Sequence, residues 1–325
     1  MSQKPQSSWT SGRNSDGQLH ASPFIRWAGG KRRLAHTLME TFPQDFDSRQ
    51  HAFFEPFLGG GALTFALGNM DHQVYVPGKK LRVSDMNPDL VETYMVVKDS
   101  VEKLIRRLRV LEDRIDEENY YVIRRDIPNS PVNRAARFIY LNKTCYNGLW
   151  RVNSDGLFNV PFDKAKTRKA NLFSEENLIA CSKRLQGASI KHVGFEKAAM
   201  RARRGDLVYF DPPYIPLTPT SSFSAYSKEG FGEEQHRQLA DVIAELTKRG
   251  VYVLFSNSDT PLTRQIFRDC LILRSHPMRR SMSADGNNRK DVNEILGMNY
   301  SHLHGSLVGE FTLVSKPKDR TQILQ

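Results

Sequence analysis

Cysteine is scarce in this chain of 325 residues, and long apolar runs are missing from it. Its three cysteines, Cys145, Cys181 and Cys270, are widely spaced, which excludes a disulfide framework and a zinc-ligand pattern. No apolar run approaches the roughly 20 residues that a membrane-spanning helix requires, and the first residues contain no apolar signal segment. We therefore expect a protein of the reducing cytoplasm, with no membrane partner and no bound metal.

Acidic residues are the minority among the charged ones. Lys and Arg number 47 against 36 Asp and Glu, which gives a net charge of +11 and an isoelectric point near 9.5. This basic excess favours an anionic partner, and nucleic acid before a membrane surface. On charge alone, a protein that is merely basic is the alternative.

Strand and helix patterns alternate in two separate parts of the chain, residues 23–98 and 189–300. They predict an α/β domain with a mostly parallel, doubly wound sheet. Between them, residues 99–188 carry apolar side chains at helical spacing and predict a largely helical insertion. Residues 1–22 are rich in Ser, Gly, Gln and Asn, so we expect a disordered tail there. Residues 301–325 carry no functional signal and form a predicted C-terminal tail.

One helix of the insertion has signals at both ends. The segment "SEENLIACSKRLQG" places Ser174 before the helix and Gly187 after it. A serine hydroxyl can accept a hydrogen bond from a free amide of the first turn, and glycine commonly ends a helix. Ser174 is therefore the predicted N-cap and Gly187 the predicted stop.

A glycine cluster, "PFLGGGA" (56–62), follows the predicted strand "AFFEPF" and precedes a helix. Contiguous glycines let the backbone approach a ligand, but the G-x-G-x-x-G fingerprint of a pyrophosphate site is missing. Asp85 ends the next strand, where an acid can bind ribose hydroxyls. Glu55 at the first strand tip favours a cation or amine over a phosphate. The motif indicates a nucleoside-bearing cofactor, with an ordinary strand–turn–helix as the alternative.

The segment "RWAGGK" (26–31) places a tryptophan and a lysine around two glycines. Trp27 could wall a pocket, and Lys31 could pair with a carboxylate. A core tryptophan beside a surface lysine is the other interpretation, and these residues alone favour it.

In "GDLVYFDPPYIP" (205–216) an apolar strand ends at an acid, and two prolines then stop it. Asp211 and the carbonyl of Pro212 could accept the two hydrogens of an exocyclic amine, while Tyr214 stacks on the base. This arrangement positions an amine for N-methyl transfer without a side-chain nucleophile. A strand that ends in a chance turn is the alternative.

Seven motifs together resemble the Dam-type (D12 class) DNA adenine-N6 methyltransferases, in the GATC-methylating group. The resemblance covers roughly residues 23–300. In chain order the motifs are "FIRWAGGK", "FFEPFLGGGALTF", "SDMNPDL", "RVNSDGLFNVPF", "YFDPPYIPLTPTSSFSAYSKEGF", "SNSDTPLTR" and "RRSMSADGNNRKDVNEIL". It implies a Rossmann-like methyltransferase sheet with an antiparallel last strand, and a target-recognition domain in the insertion.

The resemblance also implies roles. The residues implied in binding S-adenosylmethionine are Trp27, Lys31, Glu55, Pro56, Phe57, Gly59, Asp85, Phe195 and Asp211. Those implied in gripping the target adenine are Asp211, Pro212, Pro213 and Tyr214. Relatives often carry an acid before the phenylalanine, where this chain has Gly194, so the acid near the adenine ring is either missing here or supplied by Glu196. The segment "SNSD" (256–259) is expected to be structural.

Double-stranded DNA is the implied partner, because N6 of a stacked, paired adenine is inaccessible until the base is flipped out. The implied DNA-binding residues are Arg26, Arg151, Asn153, Tyr226, Arg279, Arg280 and Arg289. Arg26 stands where relatives often carry lysine. Asp163 and "KAKTRK" (164–169) replace the glycine and arginine of many relatives, which leaves the backbone contacts there open.

Other functions stay open on the sequence. The same amine chemistry would serve N4 of cytosine or an RNA base. A dinucleotide oxidoreductase lacks support without its fingerprint, and a silent DNA-binding module would have no reason to keep Asp85, Lys31 and Asp211. A monomer on DNA is the working expectation, and association with a restriction system is undecided.

Overall fold

The computed structural model describes residues 19–68, 75–166, 171–215, 231–276 and 293–301. Four residues of the predicted DNA surface lie outside these ranges: Tyr226, Arg279, Arg280 and Arg289. Most of the two predicted tails lies outside them as well.

A single mixed sheet organises the described residues. Its strands are β1 (Phe53–Glu55), β2 (Leu81–Asp85), β3 (Ser189–His192), β4 (Leu207–Phe210), β5 (Tyr252–Ser258), β6 (Ile272–His276) and β7 (Glu294–Met298). Their order is β3-β2-β1-β4-β5-β7-β6, and β7 alone among them runs antiparallel to its neighbours. The predicted mostly parallel sheet with an antiparallel last strand is confirmed.

The central strand β4 is apolar along its whole length, as is typical of a strand in a sheet that is covered on both faces. Every residue of β4 is buried. Side chains alternate between the faces, so Phe53 and Leu207 join one hydrophobic cluster while Phe54 and Val208 join the other. The first cluster extends into the insertion, where it includes Phe138.

The helices are α1 (Ala35–Glu40), α2 (Ala62–Ala66), α3 (Pro88–Glu112), α4 (Glu117–Arg125), α5 (Pro131–Thr144), α6 (Glu175–Leu185), α7 (Phe195–Ala199), α8 (Glu233–Lys248) and α9 (Pro261–Phe267). No helix among the described residues is long and apolar enough to cross a membrane.

One long helix, α3, links the sheet to the insertion. It runs through the predicted boundary at residues 98–99, and its backbone leaves the helical conformation at Ser100 (φ −146°, ψ 34°). α4 was not predicted from the sequence. At the predicted boundary between the N-terminal tail and the sheet domain, residues 22–23, Ser22 is bound to α6. Its amide and hydroxyl both donate to Asn177 Oδ1, at 2.9 and 3.0 Å. The division into domains stays a prediction.

The predicted ends of α6 are confirmed. The Asn177 amide donates to Ser174 Oγ at 3.2 Å, and Gly187 has a positive φ of 77° just beyond the helix. The N-cap of α5, Ser130, makes no such side-chain bond. The two serines therefore form a matched pair.

We expect Ser174→Ala to lower the free energy of unfolding by about 1 kcal/mol, because one amide of the first turn loses its acceptor. Urea denaturation measures this loss. Ser130→Ala is the control, with an expected change near zero. Equal losses in both variants would contradict the capping role of Ser174.

Candidate functional site

The order of the strands reverses between β1 and β4, which are neighbours in the sheet. In open α/β sheets a ligand crevice forms at this switch point, outside the carboxyl ends of the strands. Glu55 is the last residue of β1, and Asp211 directly follows β4. The sheet thus brings together the two acids that the sequence placed at separate strand tips.

Lys31 lies at the centre of the site and is buried, not on the surface. Its Nζ lies 2.7 Å from Asp211 Oδ1 and 2.9 Å from Glu294 Oε1. It also donates to the Tyr214 hydroxyl and sits 4.4 Å from the centre of that ring. Ser256 donates to the same oxygen of Asp211 at 3.1 Å. The interpretation of "RWAGGK" as a core tryptophan beside a surface lysine is therefore wrong for Lys31.

Burial and charge act in opposite directions on these groups. Burial disfavours the Lys31 ammonium, but Asp211, Tyr214 and Glu294 outweigh it and hold the pKa of Lys31 above its ordinary value. Burial raises the pKa of Asp211 to about 6, with Lys31 opposing the rise and Glu294 adding to it. At neutral pH the site therefore holds an ammonium beside an ionised Asp211.

Glu55 is a buried acid beside this pair. Burial raises its pKa to about 8; the Thr64 hydroxyl bond opposes the rise and the charge of Asp211 adds to it. A carboxyl group that burial keeps neutral can ionise when a cation approaches, and the two charges then attract each other. The environment of Glu55 suits the cation or amine that the sequence indicated.

The glycine turn is tied to the end of β2. The Gly59 amide donates to Asp85 Oδ2 at 2.9 Å, and the Asn87 amide donates to Oδ1 at 2.9 Å. Gly59 has a φ of 47°, and a Cβ there would lie 2.7 Å from the Trp27 ring. Burial raises the pKa of Asp85, although these amide bonds oppose it. Asp85 thus fixes the turn and leaves Gly59 packed on Trp27.

Three aromatic rings pack against each other beside the turn. Pro56 is buried, and the rings of Phe57 and Phe195 are stacked 5.5 Å apart, with Phe231 edge-on to both. A further ring cannot lie between Phe57 and Phe195, because that would need about 7 Å, twice a van der Waals spacing. An adenine ring would have to contact the outer surface of this cluster. Glu196 is exposed in the first turn of α7.

The chain after the acid of β4 is fixed from β5 and α8. Pro212 is buried, and the Ile215 amide donates to Asn257 Oδ1 at 3.1 Å. His236 Nε2 lies 3.1 Å from the Pro213 carbonyl oxygen, and its Nδ1 lies 2.7 Å from the carbonyl oxygen of residue 232. Burial lowers the pKa of His236, although its contacts with the two carbonyl oxygens oppose that shift, and the ring connects α8 to Pro213.

The predicted DNA-reading segment forms a small arm on the insertion. Val152 and Phe158 pair across it, and Arg151 Nε donates to Asn159 Oδ1 at 2.8 Å. Asn153 Oδ1 accepts from the amides of residues 155 and 157, at 3.1 and 2.9 Å. Asn153 stabilises the turn, so an adenine-edge contact would compete with these bonds.

Arg26 is exposed at the base of this arm. Asn142 holds its backbone from both sides, because the amide and carbonyl of Arg26 each bond to that side chain at 2.8 Å. A Cβ at Gly148 would lie 2.7 Å from the Arg26 side chain, so any larger residue at position 148 would displace that side chain. Burial, and then the charge of Arg26, lower the pKa of Lys143 to about 8.

Sequence reasoning missed Glu294, Asn142 and His236. An acid inside the apolar segment "EILGM" signals a buried charge, which could have identified Glu294. The other two carry no local signal, since their partners are distant in the chain. Exposed large apolar side chains lie on the arm, at Leu157, and just before it in the chain, at Tyr146 and Leu149.

Comparison with known proteins gives one family. The D12 class N6 adenine-specific DNA methyltransferase family matches residues 27–281. The Type II methyltransferase M.MjaIII of Methanocaldococcus jannaschii is 38% identical over 296 residues, covering 87% of this chain and 100% of the relative. The Type II methyltransferase M1.LlaDCHI of Lactococcus lactis subsp. cremoris is 36% identical over 294 residues, covering 88% and 98%. The DNA adenine methylase of Escherichia coli K12 is 34% identical over 279 residues, covering 85% and 94%.

We expect Lys31→Met to lower the free energy of unfolding by about 3 kcal/mol, because the buried Glu294 and the partly buried Asp211 lose their shared cation. The pKa of Asp211 should rise further in the variant, so the folded protein binds more protons than the unfolded chain. The loss should therefore shrink as the pH falls from about 8 to about 5. Denaturant unfolding across that range measures it. The exposed Lys197→Met is the control, and a loss that does not vary with pH would contradict the argument.

Proposed function

The chain belongs to the D12 class N6 adenine-specific DNA methyltransferases, and from that premise we propose that it methylates a flipped adenine within GATC, using S-adenosylmethionine. Adenine-specific methyl transfer to DNA follows from the family. The donor, the flipped base and the target sequence are the proposal. The observation that carries it is the position of Asp211, held by Lys31 and Ser256 at the switch point of the sheet.

The residues of the crevice fit S-adenosylmethionine. When bound, this cofactor supplies a methyl group on a positively charged sulfur. Two carboxylates, those of Asp211 and Glu294, share the single ammonium of Lys31, and the carboxyl group of Glu55 is electrostatically coupled to Asp211, so the site favours a further positive charge. Gly59 presents bare backbone beside the Trp27 ring.

The other cofactor contacts follow the same arrangement. Asp85 stands at the end of β2, beside the turn, where its carboxylate would reach ribose hydroxyls. Pro56, Phe57 and Phe195 would form the apolar wall, and an adenine ring would lie against their outer surface.

Asp211 would accept one hydrogen of the target amine, and the Pro212 carbonyl would accept the other. A base would stack on Tyr214 on the face opposite Lys31, which already covers one side of that ring. Lys31 keeps Asp211 ionised, so the carboxylate remains an acceptor at neutral pH. Pro213 stiffens the segment, which His236 and Asn257 hold in place. These groups position the amine without a covalent intermediate on the protein.

The basic charge of +11 suits an approach to the phosphate backbone. Arg26 and Arg151 are exposed near the arm, where they would contact DNA together with Asn153. Tyr226, Arg279, Arg280 and Arg289 are proposed for the same surface from the sequence alone. We propose that a monomer acts on DNA in the cytoplasm.

GATC as the target rests on the segment "RVNSDGLFNVPF" (151–162). The relatives include Type II methyltransferases as well as DNA adenine methylases, so the family alone leaves the target sequence undecided.

Tritiated S-adenosylmethionine and DNA duplexes with or without GATC test the function. Label on N6 of adenine in GATC duplexes alone supports the methyl donor, the adenine acceptor and the GATC target. Label on other DNA sequences removes GATC and retains the methyl transfer. Absence of label from all DNA, despite binding of the cofactor, would turn attention to an RNA substrate or to a DNA-binding role without catalysis.

We expect Asp211→Ala to abolish methyl transfer while the protein stays folded, because the amine loses its charged acceptor at a strand tip. The assay is label transfer at saturating DNA, with thermal unfolding as the measure of folding. Asp269→Ala is the control, since that side chain is 78% exposed after α9. Substantial turnover by Asp211→Ala would remove the amine-gripping role from this residue.

We expect Arg26→Ala to weaken discrimination at one guanine of the target by about 1–3 kcal/mol, because a bidentate contact to O6 and N7 is lost. Transfer rates on duplexes with single-base changes measure it. Arg268→Ala, 69% exposed, is the control. A loss of equal size on every duplex would show a phosphate contact instead.

A further inference from the structure

Glu294 begins β7, the strand inserted between β5 and β6, and its side chain is only 4% exposed. In the sheet it lies opposite Ser258, the last residue of β5, and opposite His276, the last residue of β6. It therefore stands at the same edge of the sheet as Asp211. A carboxylate among apolar strand residues needs buried partners to be stable there.

A single oxygen of Glu294 makes both of its contacts. Oε1 lies 2.9 Å from Lys31 Nζ and accepts a hydrogen bond from the Tyr214 hydroxyl, also at 2.9 Å. Lys31 and Tyr214 in turn contact each other, and Lys31 pairs with Asp211. Glu294 thus fixes the two side chains that flank Asp211.

The charges do not balance within this group. One ammonium serves two carboxylates, so Lys31 divides its attraction between Asp211 and Glu294. Like charges on two carboxylates of one site favour protonation of one of them. The charge of Glu294 therefore acts on Asp211 in the direction opposite to that of Lys31.

We propose that Glu294 is a positioning residue for methyl transfer: it holds Lys31 and Tyr214 against Asp211, and its charge sets the pH at which Asp211 takes up a proton. The inference rests on the proposed function, because it concerns the same acceptor of the target amine. It adds a strand from the C-terminal part of the sheet to the catalytic arrangement.

Several titratable groups face this site. Asp211 interacts electrostatically with Lys31, which precedes α1, with Glu294 on β7 and with Glu55 on β1. Tyr214, three residues after Asp211, belongs to the same group of charges. The remaining partners are Ser256 and Tyr209 on β5 and β4, and His276 is the titratable neighbour of Glu294 on β6.

The direction of the pH effect follows from these charges. Asp211, with a pKa of about 6, must be ionised to accept the amine hydrogen, so the wild-type rate should fall below about pH 6. Removing the charge of Glu294 removes one cause of the raised pKa of Asp211, and Lys31 no longer divides its charge interaction between these two carboxylates. The acid limb of the rate profile should then move to lower pH.

Two substitutions separate the charge of Glu294 from its position. Glu294→Gln can retain both hydrogen bonds through its amide oxygen and loses only the charge. Glu294→Asp keeps the charge but withdraws the oxygen by one methylene, away from Lys31 and Tyr214. Single-turnover rates from about pH 5 to about pH 9, with saturating labelled cofactor and DNA, compare them.

We expect the acid limb of Glu294→Gln to move down by about one pH unit. We expect the rate of Glu294→Asp at pH 8 to fall at least about 10-fold, without that movement and with little change in the KM for DNA. An unmoved acid limb in Glu294→Gln, or an unchanged rate in Glu294→Asp, would overturn the proposal.

The controls separate other causes. Glu40→Gln removes a carboxylate that is 61% exposed and should leave the profile unchanged. His276→Gln should leave the acid limb at the same pH, which would show that the imidazole of His276 does not cause it. Thermal unfolding checks each variant, and if Glu294→Gln does not fold, Glu294→Asp decides. If the wild-type protein transfers no label to DNA, the proposed function is wrong. If the wild-type protein transfers label but the Glu294 variants keep its acid limb and its rate, this inference alone is wrong.

Discussion

The buried ion pair between Lys31 and Asp211 is the interaction on which the site depends. Removing two charges from water is costly, and only close contacts and further hydrogen bonds offset that cost. The structure supplies them through Glu294, Tyr214 and Ser256. The result is an acid that stays ionised near neutral pH although its surroundings favour the neutral form. A displacement of Lys31 by a few tenths of an ångström therefore costs more free energy here than the same displacement in a surface ion pair.

The sheet makes this arrangement possible because its order reverses between β1 and β4. The reversal opens the crevice in which Glu55 and Asp211 stand together. The insertion is coupled to the same region. Arg184 on α6 donates to the carbonyl of Thr64 at 2.8 Å, and the Thr64 hydroxyl bonds to Glu55. Asn142 on α5 fixes the backbone of Arg26, one residue before Trp27. The backbone proposed to carry a DNA contact, at Arg26, and the residues proposed to bind the cofactor are thus linked through the same helices.

Local patterns predicted much of this. The apolar runs predicted the strands, and Ser174 and Gly187 predicted the ends of α6, because these signals act within a few residues. The motif around Asp211 predicted an acid on a rigid exit, and the structure places it so. Partnerships across the chain were beyond such patterns: the burial of Lys31 requires Glu294, more than 250 residues away. α4 was missed, and only one of its residues, Tyr120, is fully buried. The roles assigned to individual site residues stay predictions.

The position of β7 has a consequence for how the protein is made. This strand lies inside the sheet but comes from the end of the described chain. During synthesis the N-terminal part of a chain emerges and begins to fold first. Lys31 and Asp211 would then be available to each other while the gap beside β5 is still empty and exposed. The nascent chain must keep that edge from pairing with other strands until Glu294 to Met298 emerge. Completion of the sheet and arrival of Glu294 at the site are therefore one late event.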